Sequence, residues 1–93
     1  MRKTKIVATL GPATSSPAML GALLDAGANV FRLNMSHAPH DWVRRIVADI
    51  RAAAAARGLF TGIMLDTQGP AIRTGDLRVP LDLKPGQKFT LTV

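Results

Sequence analysis

The order in which apolar runs and helical stripes alternate most restricts what this chain can fold into. Residues 6–10 (Ile6, Val7, Ala8, Thr9, Leu10) form a short apolar run closed by Gly11 and Pro12, which reads as a buried strand. Ser16 followed by Pro17 is a helix start, with the serine as N-cap and the proline in the first turn. Met19, Leu20, Leu23 and Leu24 then recur at helical spacing, and Gly27 is placed to end the helix in the left-handed conformation. A second strand is expected over residues 29–34. Pro39 and Asp41 mark a second helix, with an apolar stripe of Val43, Ile46, Val47 and Ile50, an alanine-rich end and Gly58 as its stop. Residues 59–65 make a third apolar run. The resulting strand–helix–strand–helix–strand order with short connections implies an α/β fold with a parallel sheet and helices packed outside it.

The texture changes near Arg73. Lys84, Pro85, Gly86 and Gln87 read as a turn, and Phe89, Leu91 and Val93 alternate with Lys88, Thr90 and Thr92 as in a half-buried strand. A different, antiparallel module is therefore expected from residue 73 onward. On the second helix, Arg44, Arg45 and Arg51 are expected on the solvent side, with Asp41 and Arg45 as a weak pair four residues apart.

Composition excludes several classes. Apolar content of 47% with 19% charged residues describes a globular sequence. Twelve Lys and Arg against six acidic residues give a net charge of +6, which points to nucleic acid or to phosphorylated ligands. The basic residues are scattered and have no aromatic platform beside them, so phosphorylated small molecules fit better. The absence of cysteine rules out disulfides and thiolate metal sites. Neither a signal peptide nor a membrane span is expected, and a cytoplasmic location follows as the expectation.

The polar residues gather where the strands end. In parallel α/β folds, ligands bind at the carboxyl ends of the strands, and here those exits carry residues 11–14, 34–37 and 66–68. Alternation puts Arg32, Asn34 and Ser36 on one side of the second strand. One carboxylate (Asp66) among neutral oxygens from Asn34, Ser36 and Thr67 suits a hard cation of low charge better than zinc. Arg32 and Arg73 follow the same face, where forked guanidinium groups can hold phosphate oxygens. For each residue alone a structural role stands beside this one: Asp66 as a turn cap, Arg32 as its ion-pair partner. His37 has two readings, ligand contact or an idle loop position, and Trp42 reads as a packing residue of the second helix. Neither a Gly-x-Gly-x-x-Gly stretch after the first strand nor a phosphate-loop lysine motif is present, which disfavours nucleotide-binding doubly wound folds.

Three stretches carry a family resemblance: Lys5-Ile6-Val7-Ala8-Thr9-Leu10-Gly11-Pro12-Ala13, Phe31-Arg32-Leu33-Asn34-Met35-Ser36-His37, and Leu65-Asp66-Thr67-Gln68-Gly69-Pro70-Ala71-Ile72-Arg73-Thr74-Gly75. In order and spacing they resemble pyruvate kinase, across nearly the whole chain. The resemblance implies that residues 1–72 are the N-terminal part of a TIM (β/α)8 barrel, carrying its first three strands. Residues 73–93 are then the start of an inserted antiparallel β-barrel lid. It implies transfer of a phosphoryl group from phosphoenolpyruvate to ADP in glycolysis, with Mg2+ and usually K+, by a homotetramer with no nucleic-acid or membrane partner. Carried over by position, Arg32 resembles the arginine that contacts the transferred phosphoryl group. Asn34, Ser36, Asp66 and Thr67 resemble the potassium ligands, and Asn34, Met35, Ser36, His37 and Arg73 resemble positions lining the ATP site.

The sequence departs from the family at two of these positions. Gln68 stands where a lysine is usual, and Ala71 where Glu or Lys is usual; the second position tracks potassium dependence, which alanine leaves open. Length is a further departure. The family's later strands, with its essential lysine and acidic magnesium ligands, are not among these 93 residues, so the segment alone is expected to be inactive. A free-standing barrel remnant acting as a phosphate-binding or interaction module is the alternative, and the basic charge keeps nucleic-acid binding as a third reading.

Overall fold

Both backbone ladders among the described residues are parallel, because a helix after each of the first two strands carries the chain back to the same end of the sheet. The structure, a computed structural model, describes residues 2–93. The strands are β1 (Val7–Thr9), β2 (Val30–Asn34) and β3 (Gly62–Asp66), the helices α1 (Pro17–Asp25) and α2 (His40–Ala56), and a 3-10 turn spans Pro12–Thr14. The sheet order is β1-β2-β3, with Thr9 paired to Arg32 and Asn34 paired to Asp66.

Local chemistry accounts for the helix ends. The Ser16 hydroxyl accepts from the Met19 backbone N–H at 3.2 Å, as an N-cap should. At the other end Gly27 adopts φ +106°, its N–H donating to the Leu24 carbonyl while the Ala28 N–H reaches back to Leu23. Helix α2 closes in the same way, with Gly58 at φ +63° and the Leu59 N–H on the Ala54 carbonyl. Both closures turn the chain toward its next strand, and a side chain at either glycine would meet the left-handed penalty.

The core lies on one face of the sheet. Phe31 and Leu33 of β2 are fully buried against Leu20 and Leu24 of α1 and Ile46, Ile50 and Ala54 of α2. Val30, Arg32 and Asn34 alternate with them and are half-buried on the opposite face, where no helix packs among the described residues. That opposite face carries the polar site. Large apolar side chains along the open edge, Leu59, Phe60, Met64 and Leu65 among them, remain exposed. Among the described residues no helix is long and apolar enough to cross a membrane.

Three expectations need correction. The third strand begins at Gly62 rather than at residue 59, because β2 offers ladder partners only from Val30 onward. Residues 67–93 form no strand: the turn at Lys84 is present, its carbonyl accepting from the Gln87 N–H at 3.1 Å, but the alternating segment 89–93 has no neighbouring strand to pair with and stays exposed. An alternating pattern prepares a strand for a sheet but cannot supply the partner. Finally, Asp41 meets Arg44, at 3.6 Å and three residues on, rather than Arg45; both groups are exposed, and either spacing faces the aspartate.

One inter-helix contact was not legible in the sequence. Arg57, just past α2, donates from Nε to Asp25 Oδ1 at 2.8 Å and from Nη2 to Asp25 Oδ2 at 3.2 Å, joining the ends of the two helices. Gly21 leaves the space for it, since a Cβ there would lie 2.4 Å from Arg57 Nη2. The hydrogen bond from Arg57 holds the Asp25 carboxyl below its ordinary value of 3.8. A lowered carboxyl pKa stabilises the fold at all pH values above that ordinary one, and the contribution is lost as pH falls through the lowered value. Asp25→Asn is therefore expected to melt slightly below the wild type at neutral pH, with the two curves converging as pH drops well below 3.8. Thermal melts at the two extremes check this; a gap that persists in acid means that Asp25 acts otherwise than through its charge.

Candidate active site

The site is built where the three strands end, on the face the helices leave bare. Arg32 projects from the middle of β2 between two partners. Its Nε donates to Asp66 Oδ2 at 2.8 Å, and Nη2 donates to the same oxygen. On the other side Nη1 donates to Thr9 Oγ1 at 3.4 Å. The Arg32 and Asp66 side chains are 30% and 44% exposed, so the pair sits at a cavity wall rather than in the core. The apolar run around Arg32 thus resolves into two faces, with Phe31 and Leu33 inward and the guanidinium in the cavity.

The loop after β2 is shaped by its own polar groups. Asn34 Oδ1 accepts from the Ser36 N–H at 3.1 Å, an Asx turn that bends the chain immediately beyond the strand. The Met35 N–H continues the ladder to the Asp66 carbonyl at 3.0 Å. Together these place Arg32, Asn34, Ser36, His37, Asp66, Thr67 and Arg73 around one cavity of about 300 Å³. All the candidate residues except Met35 line it. Met35 contributes a backbone bond and is half-buried.

The donor set suits a monovalent cation. Asn34, Ser36, Asp66 and Thr67 offer three neutral oxygen-bearing side chains and one carboxylate around the same space. Asp66 is the one carboxylate among them, and it is paired with Arg32.

A second cavity of about 580 Å³ adjoins the first and shares Asn34 and His37 with it. Its other walls include Thr9, Leu10, Gly11, Pro12 and Trp42, and are mainly apolar. Trp42 packs against the core, as its place on α2 suggests, and also presents a surface to this cavity. The sequence places Pro12 in the first strand exit without a role of its own and gives Thr9 and Trp42 no site role; the available signal for Thr9 is its position just before that exit. For Trp42 the helical stripe concealed it. Thr14, in the same exit, is spent locally, its hydroxyl accepting from the Gly11 N–H at 2.8 Å.

The family model for the pyruvate kinase barrel domain matches residues 1–93. This chain belongs to the pyruvate kinase family. It is 49% identical over 90 residues to a pyruvate kinase of Chlamydia muridarum, a match covering 97% of this chain and 19% of that protein. It is 48% identical over 92 residues to the cytosolic isozyme of Nicotiana tabacum, covering 97% of this chain and 18% of the relative. The crystal structure of Cryptosporidium parvum pyruvate kinase superposes with a TM-score of 0.71 at 46% identity, over 74% of this chain and 14% of that one. The chain spans about a fifth of the length of the curated relatives it matches. The α/β character of the three-stranded parallel sheet agrees with this pyruvate kinase membership.

Proposed function

We propose that this chain supplies the phosphoryl-contact and monovalent-cation half of a pyruvate kinase active site, as the first three strand–helix units of a (β/α)8 barrel. Residues 73–93 then lead into the inserted lid. The observation that carries the reading is the convergence of Arg32, Asp66, Thr67, Asn34, Ser36, His37 and Arg73 on one cavity, from segments far apart in sequence.

In this reading Arg32 binds phosphoryl oxygens of phosphoenolpyruvate while they pass to ADP. The P–O bond to the enolate oxygen breaks, and one forms to the terminal phosphate of ADP. Such a transfer asks little covalent chemistry of the protein; positioning and charge neutralisation dominate. Arg73, which lines the same cavity, suits the phosphates of the nucleotide. The larger, mainly apolar cavity beside it suits the base, because it shares Asn34 and His37 with the phosphate side and presents Pro12 and Trp42. Potassium held by Asn34, Ser36, Asp66 and Thr67 would supply positive charge beside the transferred group, and magnesium, with ligands outside this segment, would neutralise the phosphates.

Basic charge alone does not favour nucleic acid, since the basic residues are scattered along the chain without an aromatic platform beside them. The test is pyruvate formation from phosphoenolpyruvate and ADP by the full-length protein that carries this chain. Turnover that collapses when magnesium is chelated is expected. A folded, magnesium-loaded protein without turnover would refute the proposal.

A further inference from the structure

We propose that Thr9 is a positioning residue for Arg32, its hydroxyl oxygen aiming the guanidinium at the transferred phosphoryl group. The inference rests on the function proposed above and assigns a role to a residue that lies in the first motif but carries no site role there. A guanidinium has five N–H donors and no acceptor. In this site Asp66 Oδ2, on β3, takes the Nε donor and one from Nη2. Thr9 Oγ1, on β1, takes one from Nη1 at 3.4 Å. The two N–H groups left over, one on each Nη, are those that form a fork able to grip two phosphoryl oxygens.

Geometry gives Thr9 a task that Asp66 cannot perform alone. A single carboxylate oxygen fixes one edge of the guanidinium and leaves the plane free to swing about that edge. A second anchor on the opposite strand removes this freedom. The sheet supplies it directly, since Thr9 and Arg32 are register partners across the β1–β2 ladder. The bond is at the long end of the hydrogen-bond range, as is common in ligand-free sites, and is expected to tighten when a phosphoryl group draws the arginine forward. A threonine present only for its strand-forming shape would be replaceable by valine, which has the same outline and lacks the acceptor.

The full-length protein separates these roles with two variants. Thr9→Val is expected to lower kcat roughly tenfold, the scale of one hydrogen bond to a charged group, with the KM for phosphoenolpyruvate changing less. Thr9→Ser keeps the oxygen and is expected to recover most of the rate. Melting temperatures of both are expected to stay near the wild type, because Thr9 is exposed on β1 and neither substitution adds bulk. Valine turnover equal to wild type, serine as impaired as valine, or activity lost only in step with folded protein would each overturn the inference while leaving the proposed function standing. A wild-type protein without turnover would overturn both.

Discussion

Replacing Arg32 with lysine in the full-length protein is expected to cut turnover about a hundredfold to a thousandfold, equivalent to ~2.7–4 kcal/mol of transition-state stabilisation. The charge survives this substitution; the fork does not. A lysine ammonium can still approach the Asp66 carboxylate, but it is a point charge and cannot hold Asp66, Thr9 and two phosphoryl oxygens at fixed angles together. The competing account is that Arg32 merely ties β2 to β3. That account predicts lower stability and an unchanged rate in the folded fraction. The partial exposure of both side chains favours a small stability change, since solvent screens such a pair. Steady-state kinetics and thermal melts on one preparation decide: normal turnover with a lowered melting temperature would mean the catalytic role belongs elsewhere.

Phe31→Ala is expected to have the largest effect on folding, about 3–5 kcal/mol. Phe31 is fully buried at the centre of the sheet face that both helices cover. Its removal forfeits the transfer energy of the ring and leaves a void that Leu20, Ile46 and Ile50 cannot fully close. Against the ~5–15 kcal/mol that holds a typical domain folded, such a loss is severe. Phe60→Ala serves as the internal control: that ring is entirely exposed and its truncation is expected to be near neutral. Denaturant midpoints for the two variants give the comparison. Equal shifts would mean that the core does not lie where the burial pattern places it.

In the proposed reading, stability and activity depend on opposite faces of the same strand. Phe31 and Leu33 point toward the helices, while Arg32 and Asn34 point into the cavity. Alternation lets five consecutive residues of β2 serve both purposes, with the arginine kept out of the core.

Much of this was legible in the sequence because it depends on neighbours a few residues apart. Ser16 before Pro17, Gly27 and Gly58 after their helices, and the stripes of Leu20 with Leu24 and Ile46 with Ile50 all act within one or two helical turns. The strand exits that carry Asn34, Ser36, Asp66 and Thr67 were visible for the same reason, as polar residues directly following apolar runs. Only the tertiary structure decided who meets whom. Arg32 and Asp66 are 34 residues apart and Thr9 is 23 from Arg32, so their meeting depends on the parallel register across both ladders. The Asp25–Arg57 bridge likewise needs two helices brought alongside each other. The alternation at 89–93 shows the converse limit, for a strand pattern without a partner stays unpaired. Caps and stripes are satisfied by the chain's own adjacent groups, whereas ladders, ion pairs and cavities exist only after distant segments have been closed together, and their residues carry no local mark of that meeting.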